Sequence, residues 1–140
     1  RESVGAKADP SEWRVAKGIF VADDEATARR YALESGGPYH FYFKQLVRKL
    51  VGGGGRGNLF KTDPAMDDAL ITPEYVTQRL VLAGTVNSVV DQILAFREKV
   101  GDFGNLLYAC HDWMDPALGK RSMELFATEV MPRVNAALRR

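Results

Sequence analysis

The sequence predicts an α/β fold with parallel strands. Three observations carry this. Stretches of strand character alternate with helical stretches in the order strand, helices, strand, helix, strand, helix. The last strand candidate, Asn105 to His111, is an almost continuous apolar run, the pattern of a strand covered on both faces. Finally, 140 residues with 46% hydrophobic and 26% charged side chains suit one globular unit, read here as spanning residues 1–140.

Arg1 to Pro10 is small and polar and reads as a lead-in loop. Trp13 to Ala22 reads as the first strand, because Val15, Lys17, Ile19 and Val21 alternate with Arg14, Ala16, Gly18 and Phe20. Asp23, Asp24 and Glu25 then place acids where a helix begins, which favours both capping and the helix dipole. That helix runs from Ala26 to Glu34, and Ser35-Gly36-Gly37-Pro38 breaks it. Tyr39, Phe43, Leu46 and Leu50 recur at helical spacing and predict a second helix over Tyr39 to Leu50.

Gly52 to Leu70 shows little periodicity and reads as one long mobile loop, long enough to act as a lid. Thr72 and Pro73 restart a short helix to Gln78 as cap and first residue. Leu80 to Gly84 is a short buried strand. Thr85 caps the helix Val86 to Val100, closed by Gly101. After the strand ending at His111, Asp115 and Pro116 repeat the cap-plus-proline signature. The last helix, Ala117 to Met131, turns Leu118, Ser122, Leu125 and Val130 to one side.

Composition also excludes. The apolar content is too high for a disordered chain. No apolar run approaches the ~20 residues that a membrane span requires. Nineteen basic and eighteen acidic residues leave +1, so no footprint for nucleic acid or anionic lipid is expected. The opening Arg1-Glu2-Ser3-Val4-Gly5 has no apolar core behind its charge, as a signal peptide would, and it begins on Arg, as a processed chain or a fragment would. The one cysteine, Cys110, reads as a buried inert thiol, which points to the cytoplasm. Two histidines and one cysteine do not make a zinc site.

Gly52, Gly54 and Gly57 match a dinucleotide-binding glycine pattern, but only because four glycines stand in a row behind a helix. Asp63, Asp67 and Asp68 lack the glycine and glutamate of a calcium loop. The informative cluster is His111-Asp112-Trp113, where the last strand ends. Loops at the carboxyl ends of parallel strands converge on one face, and chemistry collects there. His111 can donate to a carbonyl or anionic oxygen near neutral pH, and Trp113 offers a plane for a ring system. The plainer alternative packs Trp113 against the last helix with Asp112 assisting its cap. Tyr39 and Tyr42, on the aromatic helix Tyr39-His40-Phe41-Tyr42-Phe43, either line an apolar pocket or pack on a core. Tyr108, on the strand that delivers His111, completes the candidate set for cofactor or substrate binding: His111, Trp113, Tyr108, Tyr39 and Tyr42.

Four segments resemble the carboxyl-terminal part of the bacterial luciferase-like family of flavin-dependent monooxygenases. They are Ile19-Phe20-Val21-Ala22-Asp23-Asp24-Glu25-Ala26, Leu82-Ala83-Gly84-Thr85, Tyr108-Ala109-Cys110-His111-Asp112, and Ser122-Met123-Glu124-Leu125-Phe126-Ala127 running on to Glu129-Val130-Met131-Pro132. The branch with limonene and diketocamphane monooxygenases is the most similar. Where the family has Pro-Glu after its Gly-Ser/Thr pair, this chain has Val86-Asn87. The resemblance implies about three βα units at the carboxyl end of a TIM (β/α)8 barrel, a fold of ~250 residues. It implies reduced FMN from a separate flavin reductase, O2 and a small hydrophobic substrate. It implies an amino-terminal barrel half that carries the catalytic residues, so that the 140-residue segment alone is inactive, and a homodimer. Two rival readings stand beside it. One is a non-catalytic dimerisation or regulatory module of the same descent; the other is an oxidoreductase using coenzyme F420.

Overall fold

The structure is a computed structural model describing residues 2–139. Three parallel strands form one sheet: β1 (Arg14–Val21), β2 (Val81–Gly84) and β3 (Asn105–Ala109). Their order is β2-β1-β3, so the first strand made is the central one. Gly18 to Val21 pair with Val81 to Gly84, and Arg14 to Gly18 pair with Asn105 to Ala109. The parallel α/β class is as the alternation predicts. Successive units round a barrel would lie in chain order; here the path leaves β1 towards β2, then returns past β1 to β3.

Parallel crossovers have a fixed hand, so connections running in opposite directions cover opposite faces. The first connection holds α1 (Glu25–Ala28), which widens into a π turn at Arg29–Leu33, α2 (Pro38–Val47), which does the same at Arg48–Gly52, and α3 (Pro73–Leu80). It covers the face of Phe20, Ala22, Val81 and Ala83 with Tyr31, Ala32, Tyr39, Phe43 and Val76. The second connection is α4 (Val86–Val100). Together with the terminal helix it covers Ile19, Val21 and Leu82 with Val89, Ile93, Leu125, Phe126 and Val130.

The local signals act as their chemistry dictates. Asp24, Thr72 and Asp115 accept from the backbone N–H of Thr27, Tyr75 and Leu118. Gly101 closes α4 at φ 87°, a conformation that suits glycine. Thr85 departs from its expected role: its backbone N–H and its hydroxyl donate to Glu25 Oε1 at 2.9 and 2.8 Å. A carboxylate from the first residue of α1 thus sits at the start of α4.

Two expectations are corrected. The last helix does not stop before Pro132. It runs as α5 (Pro116–Leu125), a π turn (Phe126–Val130) and α6 (Met131–Leu138). Proline removes one N–H and crowds the preceding turn, and the wider π turn absorbs this without ending the helix. The apolar run of β3 is also not covered on both faces. β3 is an edge strand, Leu107 is 50% exposed, and Cys110 just beyond it is half-buried. Residues 52–70 contain short helical turns at Gly57–Leu59 and Asp68–Leu70, with Phe60 and Met66 packed on the core.

Candidate active site

The site grows from a divergence between two strands. β1 and β3 pair as far as Gly18 and Ala109, after which β1 continues to Val21 and β3 turns away. Ile19 and Val21 alternate with Phe20, whose neighbours pair with β2, so their backbone groups face the side that β3 has left. Two side chains take up those groups. The Tyr39 hydroxyl donates to Ile19 O at 2.6 Å, and Val21 N–H donates to Ser122 Oγ at 2.8 Å. They pair two of the backbone groups that β3 leaves open, Ile19 O and Val21 N–H.

The departing chain carries His111 into a nest of rings. Its imidazole lies 4.7 Å from Tyr39, 4.8 Å from Tyr42 and 4.7 Å from Trp113, measured between ring centres. Phe41 meets the far edge of Trp113 at 6.3 Å. The Tyr31 hydroxyl donates to His111 O at 3.0 Å and pins the backbone of this turn. A cleft of about 300 Å³ opens beside the nest, bordered by Gly18, Ala109, Tyr42, Phe43, Leu80 and His111. Its floor exists because Ala16, Gly18 and Ala109 are short; a Cβ on Gly18 would touch the Tyr39 ring at 3.4 Å.

Burial pushes the His111 imidazole below its ordinary value, and the neighbouring Asp112 only partly offsets this. The ring is therefore neutral at pH 7, able to donate one hydrogen bond and accept another. Burial drives the Tyr39 phenol strongly upward, so it stays a donor at all working pH values. The cleft is mainly apolar, with Lys17 the one charged residue on its border, and this composition suits a small hydrophobic molecule or a flat ring.

His111, Trp113, Tyr39 and Tyr42 thus come together. Tyr108 does not: it points to the opposite face, stacked on Phe126 at 4.7 Å, with its hydroxyl 2.7 Å from Ser122 Oγ. Trp113 is 51% exposed, set against Phe41 and His111. None of residues 52–70 borders this cleft. Tyr31 and Gly18 went unnoticed in the sequence. For Gly18 a signal existed, since an isolated glycine in a strand marks a close approach; for Tyr31 there was none.

The fold is a parallel α/β array with an aromatic cleft beside the end of β3, and the known proteins the chain is similar to are monooxygenases. The chain has luciferase-like monooxygenases as homologues, the diketocamphane and limonene enzymes among them. It is 31% identical over 137 residues to 4-hydroxyprotoasukamycin monooxygenase of Streptomyces nodosus subsp. asukaensis, covering 96% of this chain and 33% of that protein. It is 28% identical over 131 residues to 3,6-diketocamphane 1,6-monooxygenase of Pseudomonas putida, covering 93% and 34%. Limonene 1,2-monooxygenase of Rhodococcus erythropolis is 27% identical over 137 residues, at 96% and 32%. Among solved structures, the oxygenating constituent of the Pseudomonas putida 3,6-diketocamphane monooxygenase, a type II Baeyer–Villiger monooxygenase in complex with FMN, matches with a TM-score of 0.74 and 28% identity. That match covers 95% of this chain and 36% of the other. The chain spans about a third of the length of these relatives and is a partial piece of their fold. No protein-family model matches it.

Proposed function

We propose that this chain is the carboxyl-terminal portion of an FMN-dependent monooxygenase that uses reduced flavin and O2 to oxygenate a small hydrophobic substrate. The observation that carries the reading is the homology along nearly the whole chain; beside it stands the cleft bordered by Tyr42 and His111, with Trp113 against the His111 ring. No helix among the described residues is long and apolar enough to cross a membrane, and the reading places the protein in the cytoplasm.

The residues present fit part of the cofactor. The exposed edges of Tyr42 and Trp113 and the neutral His111 suit the flat, apolar ring of a flavin or the substrate beside it. The phosphate is not received here. The start of α4, the helix end nearest the strand ends of β1 and β2, already carries the Glu25 carboxylate. When bound, reduced FMN supplies the electrons that activate oxygen. The chain's own part is to exclude water with Phe43 and Leu80, to hold ring position with Tyr42 and Trp113, and to offer the His111 imidazole as a neutral hydrogen-bonding group. The catalytic residues nearest the reacting atoms belong to the amino-terminal part, and the segment alone is inactive. A separate flavin reductase and a second copy of the enzyme complete the reading.

A chimaera tests it. This chain replaces the matching third of the 3,6-diketocamphane enzyme, and O2 uptake is followed with reduced FMN and a bicyclic ketone or terpene. Substrate-dependent O2 uptake is expected. A folded chimaera that binds FMN yet oxygenates nothing would speak for a regulatory module.

A further inference from the structure

A second cleft, of about 230 Å³, lies towards the amino-terminal end of the sheet, where α3 and α4 meet β1 and the segment around residue 61. Four cations line it, Lys17, Lys61, Arg79 and Lys99, with Tyr75 and Phe96 among its walls. Lys61 is paired with Asp68 at 2.7 Å, and its side chain is only 13% exposed. Among the described residues, Lys17, Arg79 and Lys99 have no carboxylate within 4 Å.

In a chain whose net charge is +1, three unpaired cations around one cavity are a local excess. Two of them are held in place by rings. The Lys17 ammonium sits 4.7 Å over the Phe96 ring, and the Arg79 guanidinium lies 5.4 Å from Tyr75. Lys17 is half-buried, and both its burial and the charge of Lys99 press its pKa down. A bound anion would offset the cost of burying the Lys17 charge and relieve its repulsion from Lys99. The cavity is smaller than the usual range for drug-sized ligands, so it admits a single ring and excludes a nucleotide. Its apolar walls would be wasted on a fully hydrated inorganic anion.

We infer that this cleft binds a small aromatic carboxylate, with the carboxylate among Lys17, Arg79 and Lys99 and the ring against Phe96 and Tyr75. The site shares Lys17 and Leu80 with the border of the His111 cleft, and its argument does not rest on the oxygenase reading.

The test is an amide-resolved NMR titration of the 140-residue chain at pH 7 and low salt with benzoate, benzamide and inorganic phosphate. Benzoate is expected to bind saturably, shifting Lys17, Tyr75, Phe96 and Lys99. Benzamide, of the same shape without the charge, is expected to bind at least ten-fold more weakly, and phosphate likewise. Lys17→Met keeps an unbranched side chain beside Phe96 but removes the ammonium that sits over its ring, and is expected to weaken benzoate at least ten-fold. Arg79→Gln, at an exposed helical position that cannot endanger folding, is expected to weaken it several-fold. Absence of saturable shifts overturns the assignment, as does equal binding of benzamide, tighter binding of phosphate, or unchanged benzoate affinity in both variants.

Discussion

Val21 and Ser122 are joined by a 2.8 Å hydrogen bond between the end of the first strand and the last helix, and both residues are wholly buried. The hydroxyl occupies the place that a β3 residue would fill if the ladder continued. Ser122 also meets the Tyr108 hydroxyl at 2.7 Å, so one small side chain serves two elements. Ser122→Ala leaves the Val21 N–H and the Tyr108 hydroxyl without this partner. The expected loss is ~1–3 kcal/mol of stability, read as a lower urea midpoint at unchanged slope.

Tyr39 contributes in two separable ways. Tyr39→Phe removes only the bond to Ile19 O, and the expected cost is ~1 kcal/mol by chemical denaturation. Tyr39→Ala also empties a fully buried ring position, with an expected cost of ~3–5 kcal/mol. If the two variants lose the same amount, the ring is not packed as described.

Gly119 tests the support beneath His111 without touching it. Alanine is the better helix former by ~1 kcal/mol, so a free surface position would gain stability. A Cβ on Gly119 would run into the Asp112 side chain, so Gly119→Ala is expected to destabilise instead. It should also shift the NMR resonances of His111 and Trp113, which follow from the displaced turn.

The pH dependence has a definite sign. His111 has its pKa lowered by burial, so the folded state binds its proton less readily than the unfolded chain. Its contribution is fully present above the ordinary histidine value of ~6.5 and is lost as pH falls towards the lowered folded value. Urea midpoints measured from pH 7.5 to 5 should fall, and the fall should be smaller in His111→Gln.

In the chimaeric enzyme, His111→Ala is expected to weaken substrate-dependent O2 uptake by ten-fold or more, while FMN binding changes less. Unchanged kinetics would assign His111 to packing alone.

What the sequence made legible was local. The caps at Asp24, Thr72 and Asp115 and the stop at Gly101 follow from nearest neighbours. So does the strand-end placement of His111. The misreadings have identifiable sources. Tyr108 and His111 are three residues apart, an odd step, and a period of two already sends them to opposite faces; the strand's parity was there to be used. Pro132 terminates a helix only if no wider turn accommodates it. Thr85 with Glu25, and Val21 with Ser122, are contacts between distant parts of the chain. No window of sequence contains them, and they depend on a strand order that alternation alone leaves undetermined.

That strand order bears on synthesis. Ile19, Phe20 and Val21 are made before their partner strands: Gly18 waits for residue 81 on one side and residue 109 on the other. Pairings so distant along the chain close slowly. Until they do, the central strand, with its apolar run Ile19 to Val21, has both edges open, and in that interval it is a segment for which a holding chaperone has use.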